Sequence, residues 1–136
     1  MFIRGRRLRQ NENIRNLVEE TSISVNDLIM PIFLMDGKNK AEKISSMPGI
    51  FRKTLDGQLK DIDLAIKLGI NALIIFPVIK EKLKDPLVKE ALNKKGLIPK
   101  AISAIKKKFP KILVITDVAL DPYNSDGHDG VLKDGE

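Results

Sequence analysis

Cysteine and tryptophan are absent from the 136 residues, tyrosine and histidine occur once each, and aromatic residues make up only 4%. Without thiols there is no disulfide, no thiolate metal site and no thiol nucleophile, which fits a reducing, cytoplasmic setting. Long apolar runs are missing too. The longest, Ala72 to Ile79, falls far short of the ~20 residues of a membrane helix. The basic opening MFIRGRRLRQ is not followed by the apolar stretch of a signal peptide. The expectation is a soluble protein with no membrane partner. Scarce aromatics and the lack of a glycine-rich phosphate loop also argue against nucleic acid as a partner.

What is there suffices for one core. The chain is 43% hydrophobic, and a domain near this size buries about two-thirds of its unfolded surface, so one domain is expected. Basic residues number 24 against 18 acidic, for a net charge of +6. The lysines of VIKEKLKD and IKKKFPK read as solvated helix faces. The denser cluster Arg4, Arg6, Arg7 and Arg9 reads either as a phosphate-binding arm or as a tail that docks on an acidic surface of another subunit.

Periodicity orders the chain. Ile14, Leu17 and Val18 predict a short helix over Asn13 to Glu20, capped by Asn11 or Asn13, and Ser24 caps one further turn. LIMPIFLM, Leu28 to Met35, reads as a buried strand in which Pro31 needs an unpaired position. Lys38 to Thr54 reads as an irregular connection. Asp56 is the expected cap of a helix carrying Leu59, Ile62, Ile66 and Ile70, with Gly69 at its C-terminal turn. NALIIFPV is a second strand stopped by Pro77. Asp85 and Pro86 predict a third helix reaching toward Gly96. Ile98, Ile102, Ile105 and Phe109 stripe a fourth, and ILVIT, Ile112 to Thr116, is the third strand. Continuous apolar strands alternating with helices predict a parallel α/β sheet covered on both faces.

The stretch after the third strand, TDVALDPYNSDGHDG, gathers Asp117, Asp121, Asp126, Asp129 and the single His128. Ligands bind at the carboxyl ends of strands in parallel α/β folds, so this loop is the best site candidate. Asp, Asn, Ser and Gly are also ordinary turn formers. Grouped carboxylates suit hard cations that prefer oxygen, such as Mg²⁺ or K⁺, or paired acid–base work. An EF-hand is excluded, because its sixth position from Asp121 is Asp126 and its twelfth is Leu132. His128 can be base, ligand or turn residue. Gly127 and Gly130 let the loop fold back, so that Asp121 and Asp129 could converge.

Several long motifs in order resemble one family, porphobilinogen synthase, also called 5-aminolevulinate dehydratase. RGRRLRQNENIRNLVEET resembles its N-terminal arm, LIMPIFL its first strand, SSMPGIFR the following loop and LGINALIIFPVI its second strand. KGLIPKAISAIKKKFPKILVITDVALDPYNSDGHDG resembles the stretch leading into its metal loop. The resemblance implies an α/β fold of TIM-barrel type, with residues 1–24 as an extended arm with a short helix and 25–136 as the first three strands and their helices. The chain stops in a polar loop where a closed barrel takes about 250 residues, so the front part of a longer protein is expected.

The resemblance also implies function. Members condense two molecules of 5-aminolevulinate into porphobilinogen with loss of water, in tetrapyrrole synthesis, and assemble through the arm into octamers or smaller homo-oligomers. Zinc-dependent members carry three cysteines where this chain has Ala119, Asp121 and Asp129. That aligns the chain with an aspartate-rich, zinc-independent branch using Mg²⁺ or a monovalent cation such as K⁺, held by Asp121 and Asp129. Asp117 matches a residue that hydrogen-bonds the substrate amine, and Ser125 matches another residue of that pocket. Asp126 stands in place of a usual histidine, and Val88 and Lys89 in place of a usual Gly-Ser/Thr. The family's two Schiff-base lysines match no lysine here, so no catalytic residue is expected in this chain and no turnover from it alone. The competing readings are a non-catalytic α/β module binding anions or RNA through its arginine arm, and an acidic-loop hydrolase.

Overall fold

Local capping organises the N-terminal part of the chain. The structure is a computed structural model that describes residues 5–130, so Arg4 of the basic cluster and the closing VLKDGE lie outside the described residues. After a 3-10 turn at Arg7–Arg9, the side chain of Asn11 accepts the Ile14 amide at 3.0 Å and opens α1, Glu12–Leu17. The helix ends at Leu17, short of the expected Glu20. Ser24 and Asp27 then form a reciprocal capping box around a 3-10 turn at Val25–Asp27. No residue of these three elements is buried.

The rest is a five-stranded sheet with two long helices. The strands are β1 (Met30–Met35), β2 (Ala41–Lys43), β3 (Phe51–Thr54), β4 (Ala72–Val78) and β5 (Leu113–Thr116). The helices are α2 (Leu55–Lys67) and α3 (Leu97–Lys108). The spatial order is β2-β3-β1-β4-β5, with β2 alone antiparallel to its neighbour. Reading β1, α2, β4, α3 and β5 in turn gives adjacent parallel strands joined by helical crossovers, the serial order of a TIM-barrel wall.

Four expectations need correction. Lys38 to Thr54 is not irregular but holds the β2–β3 hairpin. Its strands are short and β2 is exposed throughout, so they owe their form to backbone pairing and leave no apolar signal. Pro77 lies inside β4, beside Leu34. Asp56 sits in the first turn of α2 rather than at its cap, and its carboxylate accepts the Asn39 amide. The helix expected after Asp85 is replaced by 3-10 turns at Glu81–Leu83 and Lys89–Leu92. Asp85 does accept the Leu87 and Lys89 amides, but the backbone turns left-handed at Val88 and no helix propagates. Pro31 is accommodated as expected: β3 pairs with β1 only from Phe33 onward, leaving Pro31 flanked by β4 alone.

Two turns show opposite solutions to one demand. After α2, Gly69 has φ +92°, and the Ile70 amide reaches back to Ala65 O at 2.9 Å while the Gly69 amide reaches Ile66 O at 3.0 Å. That is a Schellman closure, and glycine fits it without steric cost. Val88 adopts φ +47°, ψ +37° with a branched side chain. The left-handed region costs an L-residue ~1–2 kcal/mol, and glycine there gives back ~0.5–1 kcal/mol in chain entropy. Val88→Gly is therefore expected to stabilise the fold by about 0.5–1 kcal/mol, read as a higher urea midpoint at unchanged slope. A lowered midpoint would sink the strain argument.

One face of the sheet carries the core. Ile32 and Leu34 of β1, Leu73 and Ile75 of β4, and Ile112 before β5 pack on Ile62 of α2 and on Ala101 and Ile105 of α3. All are buried. The register puts Phe33 beside Phe76 and Ile74 beside Ile115 on the opposite face. There the two phenyl rings stack at 5.5 Å, only half-buried, and Leu113 is 58% exposed.

Candidate functional site

The site is built where β5 ends. Thr116 closes the strand and Asp117 is the first residue beyond it, exposed at the carboxyl edge of the sheet. Among the described residues the Asp117 carboxylate has no ion pair within 4.0 Å. A cavity of about 240 Å³ lies beside it, bounded by Pro77, Leu97, Leu120, Pro122 and Tyr123. Ser125 does not line this cavity. It lies in the exposed tip of the loop and donates its hydroxyl to Asp126 Oδ1 at 3.3 Å. The structure therefore does not bring Asp117 and Ser125 to one pocket within the described residues.

Asp121 and Asp129 do meet, though not carboxylate to carboxylate. Asp129 Oδ1 accepts the amides of Leu120 at 2.7 Å and Asp121 at 2.9 Å, stapling the end of the loop to its beginning. Gly127, at φ +73°, makes the reversal that allows it. The Asp121 carboxylate accepts no hydrogen bond from the described residues and is exposed at the start of a 3-10 turn, Asp121–Tyr123. Among the described residues no three His, Asp or Glu side chains stand close enough to share an ion. The donors on offer are thus Asp121, the second oxygen of Asp129, and water. That set fits a hydrated hard cation such as Mg²⁺, which keeps several waters and takes few carboxylates. It offers nothing to a metal that needs sulfur.

Asn124, passed over as a turn former, organises the loop. It is only 3% exposed. Its amide group donates to His128 O at 2.8 Å and Gly130 O at 3.2 Å, and its oxygen accepts the Asp126 amide at 2.8 Å. The neighbouring Tyr123 accepts the Asp85 amide through its carbonyl at 3.2 Å, tying this loop to the β4–α3 connection. Burial pushes the Tyr123 hydroxyl up, and the nearby Glu90 charge adds to it. Nothing in the sequence distinguishes a buried Asn from a solvated one in a run of turn residues. The His128 ring is exposed, and only its backbone joins the network.

A second pair links the strand ends. Lys80, two residues past β4, contacts Asp36, one past β1, at 2.5 Å. Lys80 is exposed in the loop at the carboxyl edge of the sheet, with its ammonium engaged by a carboxylate. Lys84 pairs with Glu81.

The staple has a pH signature. Its two backbone donors, Leu120 first and then Asp121, hold the Asp129 carboxyl below the ordinary carboxylate range. A depressed folded pKa means the stabilisation is present above the unfolded pKa and disappears as pH falls through the folded one. The loop is therefore expected to be closed at neutral pH and to open in acid, seen as faster amide exchange at Leu120 and Asp121 below about pH 4. Exchange at those amides that ignores Asp129→Asn would count against the staple.

Comparison with known proteins places this geometry. The sequence model of the family described as delta-aminolevulinic acid dehydratase matches residues 2–136. The enzyme of that name from Bradyrhizobium diazoefficiens is 46% identical over 135 residues, covering 99% of this chain and 38% of its own. That of Chlamydia pneumoniae is 43% identical, covering 98% of this chain and 40% of its own, and the chloroplastic one of Hordeum vulgare is 46% identical. Among solved structures, the Toxoplasma gondii enzyme in complex with its reaction product porphobilinogen superimposes with a TM-score of 0.90 at 41% identity. The match covers 98% of this chain and 38% of that one. The chain thus spans two fifths or less of the relatives' length, and its fold is the N-terminal part of the barrel they share, incomplete by itself. No helix among the described residues is long and apolar enough to cross a membrane. With the family model matching residues 2–136 and a solved relative superimposing at a TM-score of 0.90, the chain belongs to the delta-aminolevulinic acid dehydratase family.

Proposed function

We propose that this chain supplies the N-terminal part of a porphobilinogen synthase, a lyase that condenses two molecules of 5-aminolevulinate into porphobilinogen and water. The observation that carries the reading is the superposition of β1-α2-β4-α3-β5 on a homologue solved with porphobilinogen bound. In this reading Asp117, at the strand edge, orients a substrate amine by charge and hydrogen bonding, and Ser125, which lies outside the cavity beside Asp117, is the second residue that the family resemblance assigns to substrate. The 120–130 loop forms its acidic wall. Asp121 and Asp129 would hold a hydrated Mg²⁺, or a monovalent cation such as K⁺, rather than zinc. Such an ion supplies positive charge that offsets the loop's carboxylates and orders bound water.

The condensation needs lysine amines to form imines with substrate, and those must be uncharged to attack a carbonyl. Lys80, near the carboxyl edge of the sheet, is engaged by Asp36, and Lys53, near the end of β3, by Asp61. Both imine-forming lysines are therefore assigned to sequence that the longer relatives have and this stretch does not match, and the 136-residue chain alone is expected to be inactive. The arm is assigned to homo-oligomer contacts, up to an octamer. Its support is the exposure of Leu8, Leu17 and Ile23, at 60%, 85% and 82%, which nothing among the described residues covers. A cysteine-free chain suits the cytoplasm.

Borohydride with 5-aminolevulinate tests this directly. A protein carrying this sequence at its relatives' full length should lose activity and gain on lysine the mass of one reduced imine adduct or more, substrate less water plus two hydrogens. The 136-residue chain should gain none. An active protein that gains no mass would overturn the reading in favour of a hydrolase-type site.

A further inference from the structure

Beside the cavity at the end of β5, the connection before α3 and the exposed side of that helix gather more positive charge than the nearby carboxylates offset. Two depressions adjoin there. One, of about 240 Å³, lies between the residues after β1, the β4–α3 connection and the start of α3, and is lined by Lys80, Lys95 and Lys100 with Asp36 and Glu90. The other, shallower and of about 370 Å³, is lined by Lys94, Lys95, Lys100 and Lys107 with no carboxylate. Lys95 and Lys100 belong to both, so the two form one continuous groove. Its lining carries five lysines and two carboxylates, a net charge of 5 − 2 = +3.

The pairing is as uneven as the count. Among the described residues only Lys80 of these five has a carboxylate within 4.0 Å, namely Asp36. Glu90 is engaged by the Asn93 side-chain amide at 3.0 Å. That leaves the ammonium groups of Lys94, Lys95, Lys100 and Lys107 without a carboxylate partner among the described residues, strung from the turn before α3 to its last turn. A singly charged anion would neutralise a third of the excess. A ligand with three or more negative charges spread along its length matches it.

We propose that the groove of Lys94, Lys95, Lys100 and Lys107 binds a small linear polyanion of the inorganic polyphosphate class. Lysine suits such a ligand, because compact point charges on flexible stems adapt to successive phosphate groups without the planar matching that arginine imposes. The lysines of the groove lie outside the cavity at the end of β5, although Glu90, Gly96, Leu97 and Pro99 border both. The proposal rests on these lysines and not on the dehydratase reading.

The test is calorimetric titration of the full chain with tripolyphosphate and, separately, with inorganic phosphate, at low and physiological salt. Tripolyphosphate is expected to bind at least about tenfold more tightly than phosphate and to weaken steeply with salt. Lys95→Gln/Lys100→Gln should weaken it by about tenfold or more, with an unchanged melting temperature, and Lys107→Gln by a smaller factor. Lys60→Gln/Lys82→Gln, outside the groove, should leave it unchanged. Equal weakening by both pairs would overturn the proposal in favour of unspecific attraction by net charge. Loss in Arg6→Gln/Arg7→Gln/Arg9→Gln instead would transfer the site to the arm. Absence of binding, or binding equal to that of phosphate, would also overturn it.

Discussion

Asn124→Ala is expected to destabilise the 117–130 loop by about 2–3 kcal/mol and to loosen it as a unit. The side chain is buried and makes three hydrogen bonds to backbone groups spread from Asp126 to Gly130. Each is worth ~1 kcal/mol net, and alanine replaces none of them. His128 and Gly130 are exposed, so water can reach their carbonyls, which keeps the loss below the cost of dry, unsatisfied groups. The Asp129 staple depends on the same fold-back, because the chain must reverse at Gly127 before the carboxylate can reach Leu120 and Asp121. Amide exchange at Asp126, Leu120 and Asp121 should therefore accelerate together. If Asp126 exchanges faster while the other two stay protected, Asn124 acts only locally. Asn124→Asp should be worse than alanine at neutral pH: it loses both donations and sets a fourth carboxylate among Asp121, Asp126 and Asp129. That order of severity should invert in acid, as the added carboxyl is neutralised. At the proposed cation site of Asp121 and Asp129, Mg²⁺ binding is expected to weaken about tenfold in Asn124→Ala, the factor that 1.4 kcal/mol of lost pre-organisation gives.

These couplings mark where sequence reading succeeds and where it stops. Asn11, Ser24 and Gly69 were legible because a cap or a left-handed closure is settled within three or four residues. The stripe Ile98, Ile102, Ile105 was legible because a helix buries what its period displays. β2 escaped because AEK is wholly exposed, and only the neighbouring strand makes it one. The helix expected after Asp85 had a proper cap, but the backbone turns left-handed at Val88, three residues on, and the first turn does not propagate. The acidic loop shows both outcomes. Its position was read from the strand it follows, whereas the direction of Asp129, toward amides and not toward Asp121's carboxylate, depends on contacts across the turn. Val88 stands where the resembled family uses glycine, and its left-handed backbone supplies the reason.

The largest effect is expected from the sheet face that the helices leave open. Strand alternation sorts the apolar residues into two sets. Ile32, Leu34, Leu73 and Ile75 are sealed under α2 and α3, whereas Phe33, Ile74, Phe76, Leu113 and Ile115 face the other way. In a closed barrel that second set is interior. Here it is covered only by its own neighbours, at the level of the Phe33–Phe76 stack. Fully burying a side chain of this kind contributes ~1.5–3 kcal/mol, so completing the burial of five that are about half-buried offers roughly 4–8 kcal/mol per chain, twice that where two such faces meet, set against the ~4–15 kcal/mol that association costs. β5 also presents unpaired backbone groups along its outer edge in the described residues, the last in the order β2-β3-β1-β4-β5, and free edges recruit further strands. The 136-residue chain at tens of micromolar is therefore expected to self-associate and to bind an apolar dye, with sedimentation that shifts on dilution. Phe76→Lys should shift it toward monomer, because a charge at the centre of the patch must stay in water. The helix-covered core is untouched by that change, so the far-ultraviolet spectrum should persist. A monodisperse monomer with a cooperative melt and no dye binding would show the open face to be content in water, and would remove the argument that this half of the barrel calls for the other.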